Sequence, residues 1–464
     1  WLAVTGPWVA ADLAAALHLP GERVLAALLA LESEGMALRG RFLPAAPEET
    51  TAEPAAREQF CDRRLLLSIH RHTKQRFRRS IEPATPAELW QLLARWQHAW
   101  PGTQLSGSSG LMRIVHKLQG FVSGAASFEE ELLPLRLRGW DPGWLDALCL
   151  SGEVAWGRLR PGSGEGRFGR STPLSLWRRG DADFLVPPRP PFAEWLAASR
   201  AATESAPAGE DGRLSKLAEA LGEVLARRGA RFFAELCREL GRPAREVATA
   251  LGELCAAGLV TSDGFSGLRL LLGQGGVGGS GQAAVAAGRW ALIEGPREAA
   301  DTALGPVAVS RARFRGAQPV LGAEADWDNP ALLESWTNQY LLRYGLLTRE
   351  LLTREPLGPP LYQVLPVLRR LEARGLVRSG YFVAGLSGEQ FATPEALEGL
   401  NLIRKRAPTA TEPVEVRISA ADPLNLAGIL FPGPKAPSTG SALLIYRDGL
   451  PVGVSEESAA AQIA

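Results

Sequence analysis

The densest run of positive charge lies between residues 61 and 79, in the segment CDRRLLLSIHRHTKQRFRR. At helical spacing Leu66, Ile69 and Phe77 share one face, so the segment is predicted to be an amphipathic helix with a cationic outer side. Its seven cations face one acid, Asp62, and they are Arg63, Arg64, Arg71, Lys74, Arg76, Arg78 and Arg79. Such a face either contacts phosphate groups or is an ordinary solvated surface, and the sequence leaves both interpretations open.

Other site chemistries are less well supported. The glycine-rich segment 274–282, QGGVGGSGQ, resembles a phosphate cradle, but no Lys-Ser or Lys-Thr follows it, so we interpret it as a loop. The five histidines complete no zinc set, and the four cysteines form no CxxC pair. We therefore expect neither a metal site nor disulfides, which is typical of a reducing cytoplasm. These cysteines are Cys61, Cys149, Cys237 and Cys255.

Length and composition bound the possible architectures. The chain has 464 residues, of which 46% are hydrophobic, enough for roughly three domains of ordinary size or more small ones. The net charge is +1, so any binding of nucleic acid must come from local patches. No run of about 18 apolar residues is present, which predicts no membrane span. Because the chain begins at Trp1 rather than Met, we expect it to be a fragment.

One pattern occurs four times and organises the chain. A leucine is followed four residues later by a glycine, in the pairs Leu31–Gly35, Leu148–Gly152, Leu254–Gly258 and Leu371–Gly375. Glycine readily adopts the left-handed conformation that closes a helix. A second glycine permits a tight turn between two strands, and it falls at Gly40, Gly157, Gly264 and Gly380. The pattern predicts a helix, a glycine stop and a hairpin in each copy.

Most copies are also preceded by two helical stretches joined by a short turn. Before Gly258, for example, Val247, Leu251 and Leu254 form an apolar stripe that follows the turn at 241–243. Two helices followed by a hairpin make a winged helix-turn-helix. A stack of helical hairpins that carries partner proteins is the alternative interpretation.

The predicted fold class is therefore α+β and helix-dominated, with tandem winged-helix domains plus a small β-barrel module. The barrel is expected from alternating strands at 288–293 and 414–418 and from an Asp-Gly hairpin at 448–449. In chain order we predict a winged helix (1–44), a helical block of winged-helix type (57–160), a linker with short strands (161–212), a winged helix (213–272), the first part of the barrel (286–325), a winged helix (328–400) and the second part of the barrel (410–456).

Several phrases resemble a known family. They are CDRRLLLSIHRHTKQRFRRSIEP (61–83), LARWQH (93–98), DALCLSGEVAWGRL (146–159), GRWALIEGP (288–296), YLLRYGLLTRELLTREP (340–356), LRRLEARGLVRSGYFVAGLSGEQFA (368–392), SAADPLNLAGIL (419–430) and YRDGLPVG (446–453). Together they are similar to the C-terminal part of the large helicase-related (Lhr) family of bacterial superfamily-2 DNA helicases.

This resemblance implies a larger protein. An ATP-driven core that translocates 3′ to 5′ along DNA would lie upstream of Trp1, and ATP and Mg²⁺ would bind there, so we expect no cofactor in this chain. The implied partners are single-stranded or branched DNA, the protein's own helicase core and further copies of the chain in a homo-oligomer. The implied place of action is the cytoplasm, at the nucleoid, without a membrane.

The resemblance also extends to tandem winged-helix DNA glycosylases, which excise damaged or cross-linked bases. Such an enzyme needs a carboxylate or amide near C1′ of the nucleotide to stabilise an oxocarbenium-like transition state. The Gln-x-Gln motif of the related glycosylases does not occur in this sequence. A carboxylate would have to substitute, and the candidates are Asp422, Asp448 and Glu389. Each also has a structural interpretation, as a turn former, a turn cap or the partner of an arginine.

Two functions of different classes follow. The first is a DNA-binding and assembly region of an ATP-dependent helicase in DNA repair, with phosphate contacts from Arg63, Arg64, Arg71, Lys74 and Arg78. The second is a metal-independent glycosylase that acts on uracil or on alkylated or cross-linked bases. Whether the chain itself is an enzyme is left open by the sequence.

Overall fold

The computed structural model describes residues 2–40, 42, 58–69, 83–159, 168–204, 214–273, 288–293, 327–405, 413–433 and 442–455. The chain divides into two compact units, one of residues 1–83 with 380–382 and one of residues 84–379 with 383–464. Within the described ranges no single helix has the length and apolarity needed to cross a membrane.

The first unit is a small winged helix. Its elements are α1 (Leu2–Thr5), β1 (Trp8–Val9), α2 (Ala10–Leu17), α3 (Gly21–Ser33), β2 (Ala37–Gly40) and β3 (Gln59–Asp62). Helices α2 and α3 meet at 119°, an angle typical of a helix-turn-helix. Strand β3 lies between β1 and β2 in the sheet. This strand falls outside the predicted range 1–44, because pairing across residues 41–58 leaves no local signal in the sequence.

A second winged helix begins the larger unit. Its elements are α4 (Pro86–Trp96), α5 (Gly107–Leu118), β4 (Ser123–Gly124), a π-helical turn (Phe128–Leu132) that continues into α6 (Leu133–Arg136), α7 (Pro142–Leu150), β5 (Val154–Gly157) and β6 (Pro173–Arg178). A capping box starts α4, since the side chains of Thr85 and Glu88 each accept a hydrogen bond from the other residue's backbone N–H. The sheet order is β4-β6-β5.

The third winged helix follows a connecting segment. The connection holds a 3-10 turn (Arg179–Asp181), α8 (Ala182–Leu185) and α9 (Phe192–Glu204). The unit itself consists of α10 (Lys216–Arg228), β7 (Arg231–Phe232), α11 (Phe233–Leu240), α12 (Ala244–Ala256), β8 (Val260–Ser262), α13 (Ser266–Leu271) and β9 (Arg289–Leu292). The sheet order is β7-β9-β8.

The second and third winged helices share one hydrophobic core. Their sheets meet edge to edge, where Thr261 Oγ1 donates a hydrogen bond to the carbonyl of Trp156 at 2.5 Å. The ring of Trp156 packs at right angles against Trp290, with centroids 6.0 Å apart. On the polar side, Arg269 pairs with both Glu129 and Asp146. The second and third winged helices therefore pack against each other through one continuous core and a polar contact beside it.

The fourth winged helix comprises α14 (Pro330–Tyr344), β10 (Leu346–Leu347), a 3-10 turn (Leu351–Arg354), α15 (Leu361–Ala373), β11 (Arg378–Gly380), β12 (Gln390–Ala392) and α16 (Pro394–Lys405). Its sheet order is β10-β12-β11. The last sheet is a plain antiparallel meander of β13 (Glu415–Ser419), β14 (Leu443–Arg447) and β15 (Leu450–Ser455). Tyr446 of β14 stacks on Trp90 of α4 with centroids 4.1 Å apart, which fixes the meander against the second winged helix.

The predicted β-barrel is not formed by the described residues. Strand β9, the expected first part of the barrel, pairs instead with β7 and β8 as the return strand of the third winged helix. Apart from residues 288–293, the expected first part of the barrel (286–325) lies outside the described residues. A short alternating strand looks the same in a wing and in a barrel, and only its long-range partner decides between them.

The four repeated glycines end their helices as predicted. Gly35, Gly152, Gly258 and Gly375 have φ angles of 69°, 82°, 75° and 78°. In each copy the residue after the glycine donates its N–H to the carbonyl of the leucine four residues before the glycine, at 2.8 to 3.1 Å. This is the Schellman closure of a helix, which requires a left-handed residue at that point. The leucine–glycine spacing is therefore the signature of one backbone motif used four times.

Candidate functional site

Only the start of the predicted cationic helix lies within the described residues. Residues 63–69 are helical, and an Asp62 carboxylate oxygen accepts from the N–H groups of Arg64 at 2.8 Å and Leu65 at 3.0 Å. The side chains of Arg63 and Arg64 are exposed. The other three members of the predicted phosphate-binding set lie outside the described residues, and they are Arg71, Lys74 and Arg78. The role of this set stays a prediction.

Asp422 is fully buried and forms an ion pair. Its two oxygens accept from the guanidinium of Arg136 at 2.7 and 2.8 Å, and the N–H of Leu424 donates to the same carboxylate at 2.9 Å. Arg136 also donates to the Gln97 side chain at 3.2 Å and to the carbonyl of Leu132 at 3.0 Å. The pair joins the second winged helix to the segment after β13. A catalytic role for Asp422 stays a prediction, and it requires that this pair opens.

The other two predicted carboxylates each have partners of their own. Asp448 has a φ of 47° and begins the turn between β14 and β15, where its carboxylate accepts from the N–H of Val414 at 3.0 Å. Glu389 accepts a hydrogen bond from Arg369 at 3.1 Å. Both side chains thus have the structural partners that the sequence suggested, as a turn former and as the partner of an arginine. Their catalytic roles stay predictions.

The structure adds Glu131, which sequence analysis missed. It lies in the π-helical turn Phe128–Leu132, and one of its oxygens is buried without a hydrogen-bond partner among the described residues. Burial raises the pKa of the Glu131 carboxyl, and repulsion from Glu130 and Asp422 adds to the shift, while a hydrogen bond with Ser419 opposes it. A carboxyl group with a raised pKa is suited to proton transfer. Turns of the π type are frequent at functional sites.

No sequence signal could have singled out Glu131. Three glutamates follow one another at 129–131, and they reach different surroundings in the folded chain. Glu129 pairs with Arg269, and Glu130 pairs with Arg170. The π-helical turn decides which of the three glutamates faces the interior, and the amino-acid composition does not predict such a turn. Within the described ranges, no group of three or more histidine, cysteine, aspartate or glutamate side chains is arranged to hold a metal ion.

The repeated sheet defines the class of protein. Four of the five sheets have the order first, third, second strand, and in each of the four a helix pair or helical turn plus helix lies between the first two strands. This is the winged-helix topology, and the chain is a tandem winged-helix protein.

Comparisons with known proteins show which proteins the chain resembles. Residues 84–177 and 326–412 each match a large helicase-related protein winged-helix domain. The chain is 27% identical over 444 residues to a protein of Mycolicibacterium smegmatis named Lhr helicase/probable uracil glycosylase. The aligned region covers 90% of this chain and 25% of that relative. It is also 29% identical over 411 residues to a protein of Escherichia coli named Lhr helicase/uracil glycosylase. This aligned region covers 87% of this chain and 24% of that relative.

The resemblance to the large helicase-related family seen in the sequence phrases of this chain is therefore confirmed. The chain spans about a quarter of the length of these curated relatives. The third winged helix, from α10 to β9, lies between the two segments that match the winged-helix domains.

Proposed function

We propose that this chain is a DNA-binding region that acts beside a helicase core of the same protein in DNA repair. The observation that carries the proposal is the winged-helix topology repeated four times in a chain that resembles the large helicase-related family. Winged helices place a helix in a groove of DNA and contact phosphates on either side. ATP and Mg²⁺ would be bound by the core, and the protein would work at the nucleoid.

Local charge, rather than total charge, supports DNA binding. The net charge is only +1, so the long-range field of the whole chain attracts polyanions weakly. Exposed arginines such as Arg63 and Arg64 supply local phosphate contacts. Single-stranded and branched DNA are the substrates that a translocating helicase exposes, and several copies of the chain in one oligomer would strengthen binding through avidity.

The test is direct binding by the purified chain. Fluorescence anisotropy would be measured with labelled duplex, single-stranded and forked DNA at low salt, and sedimentation would report the oligomeric state. We expect saturable binding, and we expect the joint change of Arg63→Ala and Arg64→Ala to weaken it. Absence of binding to all three DNAs at micromolar protein would overturn the proposal.

A second function is favoured by two observations. Both relatives carry uracil glycosylase in their names, and Glu131 offers a partly buried carboxyl group with a raised pKa. In base excision the bond between C1′ and the base breaks, water adds its oxygen to C1′, and one proton of the water ends on the base. A carboxylate near C1′ stabilises the positive charge that develops, and a carboxylic acid supplies the proton to the leaving base. We propose Glu131 for one of these roles.

The glycosylase assay has a matched control in the adjacent residue. The chain is incubated with uracil-containing or alkylated DNA, and abasic sites are then cleaved with alkali. We expect Glu131→Gln to lower the rate by about 100-fold or more, the usual contribution of general acid–base catalysis, and Glu130→Gln to leave it unchanged. Asp422→Asn, Asp448→Asn and Glu389→Gln test the candidates named from the sequence. Cleavage at background level by the unmodified chain on every substrate would rule out this function.

A further inference from the structure

The helix-turn-helix of the third winged helix carries an unusual number of exposed arginines. Helix α11 ends at Leu240, and α12 begins at Ala244. Three arginines lie within eight residues around this turn, at the end of α11, in the turn and in the first turn of α12, and they are Arg238, Arg242 and Arg245. All three side chains are exposed, as is the whole run from 241 to 246.

Backbone geometry holds these arginines together. Gly241 has a φ of 60° and donates its N–H to the carbonyl of Arg238, while Arg242 donates its N–H to the carbonyl of Cys237. The turn is therefore tight, and the end of α11 directly abuts the start of α12. Arg228, at the end of α10, reaches the same place through an ion pair with Glu239 at 3.0 Å. Arg228, Arg238 and Arg245, on three helices of the unit, and Arg242, in the turn, are thus all exposed on adjoining elements.

The positive charge there is only partly neutralised. Glu239 pairs with Arg228, and Glu246 lies 3.7 Å from Arg242. In the part of the chain that the structure describes, neither Arg238 nor Arg245 has an ion-pair partner, and Arg238 donates only to a backbone carbonyl of its own helix. Exposed pairs of this kind contribute little to stability because water screens them, so they open easily for a stronger anion.

The corresponding turns of the other three winged helices differ. The first has one exposed arginine there, Arg23, beside Glu22. The second has Arg138 exposed, while Arg136 is buried in its pair with Asp422. The fourth has Arg354 at the end of its 3-10 turn, but this arginine is partly buried and donates to the carbonyl of Asp422 at 3.1 Å, and residues 355–364 contain no basic residue. Among these four turns, the third alone carries more than one exposed arginine.

We propose that the third winged helix is the duplex-binding module of this chain, with Arg238, Arg242 and Arg245 on the phosphate backbone and the first turn of α12 facing the major groove. The proposal rests on the proposed DNA-binding function and assigns that function to one unit. A helix-turn-helix presents the start of its second helix to base edges, while the preceding helix crosses the backbone. A major groove about 12 Å wide admits such a helix, whereas a single strand offers no groove, so the partner is double-stranded DNA.

The test compares two triple variants of the full chain that lose the same charge. The first carries Arg238→Ala, Arg242→Ala and Arg245→Ala. The control changes three exposed, ion-paired arginines on other elements to alanine, and these are Arg170, Arg200 and Arg417. Duplex affinity is measured by anisotropy at 0.1 M salt. Loss of three phosphate contacts is expected to weaken binding by on the order of 100-fold or more, and the control is expected to stay within a few-fold of the unmodified chain.

A charge-retaining variant separates binding from folding. Arg238→Lys, Arg242→Lys and Arg245→Lys keeps the cations, and we expect it to bind within about tenfold of the unmodified chain, since lysine holds phosphate as a point charge. Equal weakening in the control variant, or unchanged affinity in the first alanine variant, would overturn this assignment while leaving DNA binding by the chain intact. Failure of the unmodified chain to bind duplex would instead reject the function on which the assignment rests.

Discussion

The buried pair of Arg136 and Asp422 gives the sharpest prediction about stability. Both side chains are at most 1% exposed, and the guanidinium makes two bonds to the carboxylate. The change Asp422→Ala leaves a buried cation with only Gln97 and one backbone carbonyl as partners. Removing one member of such a pair costs about 3–5 kcal/mol in the free energy of unfolding, because the remaining charge is neither paired nor hydrated.

The expected cost is nearly abolished when both charges are removed together. The double variant Arg136→Met, Asp422→Leu fills a similar volume without a charge, and such replacements are often neutral or stabilising. Urea denaturation of Arg136→Met, of Asp422→Leu and of the double variant, followed by the intrinsic fluorescence of the 13 tryptophans, gives the coupling between the two residues.

The matched control is an exposed pair. Arg200 and Glu219 are joined across α9 and α10 with the arginine 57% exposed, and Glu219→Ala is expected to cost less than about 1 kcal/mol. If Asp422→Ala unfolds at the same urea concentration as Glu219→Ala, the ion pair is not what joins the meander to the second winged helix. The assignment of a structural role to Asp422 would then be wrong.

Two further perturbations test the helix closures and a partly buried lysine. Gly375→Ala is expected to destabilise the chain by about 1–2 kcal/mol in thermal unfolding, because φ is +78° at this glycine although no atom lies near the added Cβ. The control Gly180→Ala changes a glycine without a positive φ and should leave the stability unchanged. Equal losses of stability in the two variants would contradict the role of the left-handed conformation. Burial lowers the pKa of Lys117, which lies 4.5 Å from the ring of Trp96, to about 8 from 10.5. The unfolded chain therefore binds this proton more tightly, and the free energy of unfolding should rise between pH 8 and 10.5 by on the order of 3 kcal/mol relative to Lys117→Met. If the free energy of unfolding changed with pH in the same way in the unmodified chain and in Lys117→Met, the lowered pKa of Lys117 would be refuted.

Much of the local structure was predictable from the sequence because its causes are local. The leucine–glycine spacing marks a helix closure whose hydrogen bonds span only five residues, and all four copies occur. The same holds for the start of α4, where Thr85 and Glu88 lie three residues apart, and for the start of α7, where Asp141 accepts from the N–H of Gly143. The hydrogen bonds of such motifs join residues that are close in the chain, so the motifs can be predicted without knowledge of the tertiary structure.

The errors concern long-range partners. Strand β9 is predicted correctly as a strand at 288–293, but its partner strands lie in the third winged helix rather than in a barrel. Arg136 and Asp422 are 286 residues apart in the sequence, and no local sequence pattern predicts that they form a pair. The arginines around the third helix-turn-helix were also missed, because acids lie among them in the sequence and only the fold shows which of the side chains are exposed.

The salt dependence of duplex binding tests the central claim most directly. If the third winged helix holds phosphates through Arg238, Arg242 and Arg245, the logarithm of the affinity should fall with the logarithm of the salt concentration with a slope of about −2.7 or steeper, and the triple alanine variant should lose about 2.7 of that slope. A nearly flat dependence for the unmodified chain, or the same slope for both proteins, would contradict it.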